Sequence, residues 1–527
     1  MVRKKNIDDG GAAHGPGSVL HAEADLLSSI EKTQRAFSRT ASRTERSAIG
    51  QFLTPAPIAR FMASLFERDV PAARILDPGA GTGSLFAALL ERLVSLPQRP
   101  ESIEIVAYET DPNVLPHLET TVDLCRNICA RTGVVFRGTI RCEDFISAAA
   151  TRLPGNLFAA GDDSFTHVIL NPPYQKINGE SETRRTLSAA GMEVSNLYAA
   201  FVWLAAYLTR PGGEIVAITP RSFCNGPYFR RFRKSLLSLL DLRHIHTFES
   251  RKEAFADDSV LQENIIFHGI RSEQQKGMVR ISTSKGAGLS EGQVKRVPFR
   301  EIVVPEDPDA FIHLIESDRG RHVAARMARF RTTLGELGLE VSTGRVVDFR
   351  ARAFLREDPE PGTAPLIYPC HFDDGLVHWP LPGAKKPNAL VATDKTADLL
   401  VPAGYYVLTK RFTAKEERRR IVAATYDPTR IAASQVGFEN HLNYFHAQGR
   451  GLPSELAPGL AVFLNSSWLD QYFRLFSGHT QVNATDLRKL RYPSREQMLR
   501  LGREMGANRA DQQQIDAVLE KVCDEGE

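Results

Sequence analysis

Three glycines spaced two apart at the end of an apolar run constrain this chain more than any other feature. Arg74-Ile75-Leu76-Asp77-Pro78 leads into Gly79-Ala80-Gly81-Thr82-Gly83, and Ser84 opens a helical spacing carried by Leu85, Leu89 and Leu93. The pattern reads as strand, glycine turn and helix start. Glycine accepts positive φ and lets a ligand approach the backbone with no Cβ in the way. The helix N-terminus adds free N–H groups and a positive dipole end. The spacing is G-x-G-x-G, not the G-x-G-x-x-G of a dinucleotide site, because Ser84 and Leu85 follow Gly83. The lysine of a phosphate loop is also missing. A ligand with one carboxylate and one ammonium therefore fits better than a pyrophosphate, with Asp77 at the strand end as the ammonium acceptor. That ligand chemistry points to S-adenosylmethionine (SAM).

The surroundings support an α/β domain. Strand candidates at Arg74–Leu76, Ile103–Tyr108, Val134–Ile140, His167–Leu170, Glu214–Thr219, His244–Thr247 and Asn264–Phe267 alternate with helical patterns over residues 25–270. The expected fold is a Rossmann-like mixed sheet with helices on both faces. Residues 1–24 are polar and glycine-rich and read as a flexible N-terminus. Residues 271–330 read as a connection. Residues 331–500, richer in Pro, aromatic and basic residues, read as a second, α+β domain, and 501–527 as a polar C-terminal helix and tail. A chain of 527 residues, 42% hydrophobic and 24% charged, is ordinary globular composition with room for two to four domains, which excludes a disordered chain, a small disulfide scaffold or a coiled coil. The net charge of +3 announces no nucleic-acid binder, so any basic binding face must be local. Six scattered cysteines show no zinc spacing, so no metal is expected, and buried reduced thiols in a cytoplasmic protein are the reading. The N-terminus lacks the apolar stretch of a signal peptide. Leu197–Leu208 is too short for a membrane span and reads as a core helix.

Three further segments carry chemistry. The second strand candidate ends in Glu109, where a carboxylate accepts the ribose hydroxyls of a nucleoside, while Asp111 two residues on caps the following turn. After the third, Asp144 either accepts from an adenine amine or caps a helix, and Phe145 can cover the ring. Thr166–Leu170 then runs into Asn171-Pro172-Pro173-Tyr174. The lone pair of adenine N6 is delocalised into its ring. Two acceptors aimed at its two N–H groups, the Asn171 side-chain carbonyl and the Pro172 backbone carbonyl, draw it towards tetrahedral geometry. Consecutive prolines (Pro172, Pro173) fix φ and hold those carbonyls, and Tyr174 offers a face for stacking. Asparagine takes no proton at neutral pH, so such a site works by orientation and electrostatics.

Gln51-Phe52-Leu53-Thr54-Pro55, the glycine loop, Glu109 and NPPY come in an order that resembles the gamma-class adenine-N6 DNA methyltransferases of type II restriction–modification systems, most closely the BsuBI/PstI-type modification methylases. The stretches Lys410–Arg420, Asn440–Phe445 and Ser477–Arg488 narrow the resemblance to that group, which covers roughly residues 45–495. The resemblance implies methyl transfer from SAM to adenine N6 in a short duplex sequence, with the base flipped out, protecting host DNA from a separate restriction endonuclease. It further implies double-stranded DNA as partner, a monomer with no membrane association, and a nucleoid-associated bacterial or archaeal location. By resemblance, Thr54 helps hold the SAM carboxylate and Phe255 faces Tyr174 across the flipped adenine, with Phe248 as its rival. Lys410, Arg411, Arg418, Arg419 and Arg420 are either a solvated helix face or phosphate and base contacts. His479, Gln481 and Asn483 suit adenine edges and structural hydrogen bonds alike. The rival readings are methylation of RNA or of a protein glutamine by the same NPPY chemistry, a DNA-binding protein with a vestigial methyltransferase fold, and a fused methylase–nuclease, for which no nuclease segment stands out.

Overall fold

The computed structural model describes residues 26–40, 54–153, 164–248, 263–275, 277–284, 291–305, 307–314, 318–413, 417–476, 481–505 and 511–524. These fall into two compact units, Met1–Pro220 with Ser235–Val294, and Arg221–Lys234 with Lys295–Glu527.

The first unit is built on a nine-stranded sheet: β1 (Ala72–Pro78), β2 (Ser102–Tyr108), β3 (Val135–Arg141), β4 (Phe165–Leu170), β5 (Thr209–Pro220), β6 (Leu240–Phe248), β7 (Asn264–Arg271), β8 (Met278–Ser284) and β9 (Glu291–Pro298). Their order is β3-β2-β1-β4-β5-β7-β6-β8-β9. Strands β1 to β5 are parallel, with Leu76 beside Val168 and Leu170 beside Ala217, whereas β7 lies antiparallel between β5 and β6. All six residues of β4 are buried, as expected of a parallel strand covered on both faces. Because β1 has β2 on one side and β4 on the other, the chain reverses its direction of winding at β1, which opens a crevice at the carboxyl ends of β1 and β4. All seven strand candidates of the sequence coincide with strands.

The helices that matter for the crevice are α1 (Leu26–Thr40), α2 (Ala56–Ser64), α3 (Ser84–Ser95), α4 (Leu115–Thr132), α5 (Phe145–Ala150), α6 (Glu182–Ala189) and α7 (Leu197–Leu208). On α3 the helical spacing buries Leu85, Leu89, Leu90 and Leu93, which join Ile75, Ile105, Ile169 and Val216 of the sheet in one core. Each such side chain contributes about 1.5–3 kcal/mol by leaving water. Helix α7 is the expected core helix, with all but two of its twelve residues buried. No helix among the described residues is long and apolar enough to cross a membrane.

A polar layer lies within this unit. His268 of β7 bonds Glu214 of β5 at 3.0 Å, and Glu214 also accepts the backbone N–H groups of Glu67 and Arg68. His244 and His246 of β6 meet Ser282 of β8, each at 2.7 Å. These pairs need β8, which runs parallel to β6. The sheet therefore continues beyond residue 270, where the sequence reading ends it. Val279 and Ile281 are buried in β8, but the Gly/Ser/Lys-rich stretch that follows gave the segment the look of a linker.

The second unit is α+β, as expected. In its six-stranded sheet Tyr406–Lys410 pairs antiparallel with both Ala423–Tyr426 and Leu442–His446. A five-stranded sheet is organised around Thr363–Ile367. The helix Gln512–Asp524 buries Leu519, Val522 and Cys523 in this unit's main core. The helix expected in this stretch forms, and its apolar face is buried rather than polar throughout. Two cysteines, Cys142 and Cys370, are exposed and four are buried, so the expectation of buried thiols holds for only four.

Candidate functional site

The glycine turn forms as the sequence predicts. Gly79, Gly81 and Gly83 have φ of 78°, 55° and 85°, and a Cβ at Gly83 would come within 2.5 Å of the Phe86 ring. Beside the turn lies a cavity of about 250 Å³. Its walls come from the turn itself, Glu109, Asp144, Phe145, Asn171 and Pro173, with Thr54 at one end.

Glu109 follows β2 and is buried. One carboxylate oxygen accepts the Gly81 N–H at 2.9 Å, and the other accepts Thr110 and Asp111 N–H groups at 2.8 Å each. Burial pushes its pKa up, and the three N–H donors oppose that shift. Asp111 accepts the Asn113 N–H at 2.9 Å and so caps the turn as expected. Of the two readings the sequence left open for Asp144, the helix cap is the one that forms. It is the N-cap of α5, accepting the Ser147 N–H at 2.8 Å, and it lines the cavity. Phe145 meets Tyr108 edge-on at 5.2 Å and Phe201 at 5.2 Å.

Asp77 differs from expectation. Its carboxyl is fully buried, does not line the cavity, and neither oxygen has a hydrogen-bond partner. Burial pushes its pKa up to about 8. Asp77 is thus not one of the residues that line the cavity. The orphaned carboxyl lies at the end of β1, immediately before the glycine turn, and a cation reaching it would supply the partner it lacks.

Asn171 is the junction of the site. Its Nδ2 donates to the Thr54 hydroxyl at 3.1 Å, and its Oδ1 accepts from the Tyr174 hydroxyl at 3.1 Å. The side-chain amide is thus oriented from both of its ends on the wall of the cavity. Thr54 accordingly has a role the sequence reading did not give it, because it orients Asn171 as well as lining the cavity. The Ser84 hydroxyl donates to the Thr54 carbonyl at 3.4 Å, tying this segment to the start of α3. Pro172 is buried behind Pro173, and Tyr174 packs edge-on against Tyr198 at 6.2 Å. Phe255 lies outside the described residues, and its rival Phe248 is packed against the core of the sheet.

Sequence reasoning missed three groups here. Tyr108 and Phe201 line the cavity although they read as core. Gln34 of α1 donates to the Thr82 hydroxyl of the glycine turn at 2.8 Å. Tyr108 had a usable signal, since it ends the strand that presents Glu109. Phe201 and Gln34 had none.

In the second unit the three stretches carrying the resemblance meet. Arg411 donates its N–H to the His441 carbonyl at 2.8 Å, Val482 donates to the Arg411 carbonyl at 2.7 Å, and Asn443 Nδ2 donates to the Val482 carbonyl at 2.8 Å. Phe412 and Gln481 form a bridge. The basic residues divide. Arg420 is 1% exposed and lies against Phe473, which corrects its assignment as a DNA contact. Arg419 is half-buried, bonding Gln512 and the Ser466 carbonyl, so it too serves the fold. Arg411 is half-buried and donates to the Asn440 carbonyl, and Lys410 lies over the Phe372 ring. Arg418 is exposed. Asn483 caps the helix Ala484–Lys489 together with Asp486, the structural one of its two readings. His479 lies outside the described residues.

Comparison with known proteins agrees with this arrangement. The family model of the Eco57I restriction-modification methylase matches residues 136–255, a span that contains Asn171–Tyr174. The type II methyltransferase M.PstI of Providencia stuartii is 44% identical over 490 residues, covering 93% of this chain and 96% of the relative. M.BsuBI of Bacillus subtilis, also a type II methyltransferase, is 44% identical over 486 residues, covering 90% of this chain and 94% of the relative. Among solved structures, the type IIL restriction-modification enzyme MmeI in complex with DNA aligns with 94% of this chain and 72% of its own at a TM-score of 0.52 and 11% identity, a likeness of fold.

Proposed function

The chain belongs to the type II DNA methyltransferases of restriction–modification systems, and from that premise we propose that it methylates N6 of adenine in a short duplex sequence, with SAM as the methyl donor. The observation that carries the reading is Asn171, fixed between the Thr54 and Tyr174 hydroxyls on the wall of the glycine-turn cavity.

The cavity fits SAM by its donor set. The glycine turn gives backbone N–H groups and room, Glu109 is a carboxylate suited to ribose hydroxyls, and Phe145 and Phe201 are aromatic walls for a purine. Bound there, SAM supplies a methyl group activated by a positively charged sulfur.

The chain's own residues do the rest. The target adenine leaves the duplex, at about a few kcal/mol. Stacking on Tyr174 returns about 1–3 kcal/mol. The Asn171 side-chain carbonyl accepts one N6 hydrogen and the Pro172 carbonyl accepts the other, which frees the nitrogen lone pair from the ring. The surplus proton goes to solvent, since neither acceptor is basic at neutral pH. The biological role in this reading is protection of host DNA from a separate endonuclease.

The test is incubation of the protein with labelled SAM and mixed-sequence duplex DNA, followed by digestion to nucleosides. Label is expected in N6-methyl-2′-deoxyadenosine. Label confined to a cytosine, or transfer to RNA or protein in preference to DNA, would overturn the reading.

A further inference from the structure

A second cavity, of about 340 Å³, lies in the second unit, where the Lys410–Arg420 and Asn440–Phe445 stretches meet. Tyr368, Cys370, Lys386, Phe412, Glu439 and His441 line it. Its floor is polar and anchored. Glu439 is buried and accepts both the backbone N–H of His441, at 2.9 Å, and His441 Nδ1. In the neutral tautomer that gives Nδ1–H to that carboxylate, Nε2 is an acceptor. On the opposite wall Lys386 is steered by Asp348, which accepts from its Nζ at 2.7 Å, and lies 5.2 Å from the Tyr368 ring. Asp348 also accepts from the Tyr368 hydroxyl at 2.8 Å. The Phe412 and His441 rings lie tilted by 48° with centroids 4.8 Å apart, and the Arg411 guanidinium lies 5.5 Å from the Phe412 ring. The three outward side chains are accessible: His441 is 47% exposed, Lys386 46% and Phe412 43%.

This is an unusual set for a structural patch. A histidine and a lysine, each held by its own carboxylate, face one open hollow beside an exposed aromatic ring. The polar pairing fixes their direction and leaves one ring nitrogen of His441 and the remaining N–H groups of Lys386 for an outside partner. A G·C pair in the major groove presents the complement, with guanine O6 and N7 side by side as acceptors and the cytosine N4 amino group as donor. The Arg411 guanidinium beside Phe412 adds positive charge next to the hollow.

We propose that this hollow is the base-reading site of the second unit, where Lys386 donates to guanine and His441 accepts from cytosine of one G·C pair in the target sequence. The inference rests on the DNA-methyltransferase reading above and adds which side chains set its specificity.

The test compares wild type, His441→Ala and Lys386→Met on a set of duplexes that carry the methylated site and every single-base change of it. The site is first read from wild-type methylation. A base-edge contact discriminates by about 1–3 kcal/mol, or roughly 5- to 150-fold at 1.4 kcal/mol per tenfold. Both variants are expected to lose that factor of discrimination at one and the same G·C position, with SAM affinity unchanged. Lys386→Arg should keep part of it, since Arg also pairs with guanine. Unchanged discrimination would overturn the proposal. So would a uniform fall in rate across all duplexes, which marks a phosphate contact or a structural role, or relaxation confined to an A·T position. Should His441→Ala lower the melting temperature, the Lys386 variants, made at an exposed side chain, carry the test alone. Failure of the wild type to methylate any adenine would instead strike the underlying reading.

Discussion

The two units hold their polar groups in opposite ways. In the first, Glu109 is gripped by three backbone N–H groups and Asn171 by two hydroxyls, and both still face the cavity. Anchoring and function coincide because both residues sit at the carboxyl ends of parallel strands, where the chain must turn. In the second, the charged residues most conspicuous in the sequence are largely consumed by the fold. Arg420 is buried, Arg419 bonds Gln512 and Asn483 caps a helix. The side chains that remain outward, such as His441 and Lys386, come from separate loops; His441 lies in the Asn440–Phe445 stretch, and Lys386 in no segment the sequence singled out. A cluster of charge in sequence is therefore a poor guide to a charged surface, whereas a strand end followed by a turn is a good guide to a site.

The sharpest way to break that contrast is at Asn171. Asn171→Ala is expected to lower turnover by at least 10²- to 10³-fold, the loss found for single electrostatic contacts in preorganised sites. SAM affinity by calorimetry should change little, because the glycine turn and Glu109 remain. A turnover within tenfold of wild type would remove Asn171 from the chemistry.

Next comes Arg420. If it belongs to the fold, Arg420→Ala lowers unfolding free energy by roughly 2 kcal/mol, through lost packing as well as lost charge. Normal stability with weakened DNA binding would reverse the assignment made here.

The first unit also carries an acid-sensitive core. Burial drives the pKa of His167 down to about 4, His244 to about 3 and His246 to about 4. In the unfolded chain these rings titrate near 6.5. Their contribution is whole above pH 6.5. As pH falls from 6.5 towards 4 the unfolded chain takes up protons that the folded core does not, and stability is lost at about 1.4 kcal/mol per pH unit for each histidine. Urea melts at pH 7.5, 6.5 and 5.5 should show that slope, and hydrogen exchange should place the first opening in strands β6 to β8. A flat profile from pH 6.5 to 5.5 would contradict the buried, neutral state of these rings.

The smallest expected effect separates the basic residues. Arg418→Ala should leave stability within about 0.5 kcal/mol and lower the slope of log affinity against log salt by about 0.9, the value of one phosphate contact. An unchanged slope would take Arg418 off the DNA.

How much of this was legible follows the same contrast. The β1–turn–α3 passage and the β4–NPPY passage were readable because each is a buried strand followed by residues that only a sharp turn requires. Strand β8 was hidden by the polar stretch after it. The strands of the second unit, two to five residues long, are too short to show an alternation. Within the site, the Thr54–Asn171 bond spans 117 residues and leaves no mark in either segment. Phe201 obeyed the helical spacing of a core residue while also lining the cavity, and periodicity cannot separate the two.

The central claim is that Asn171 and its two hydroxyl anchors make this an adenine-N6 methyltransferase with a defined target. Sequencing of plasmid DNA from a host expressing wild type or Asn171→Ala, by a method that resolves modified bases, tests it most directly. The account predicts N6-methyladenine at every copy of one short sequence with wild type and at none with Asn171→Ala. Methylated cytosine in place of adenine, or adenine methylation that survives Asn171→Ala, would contradict it.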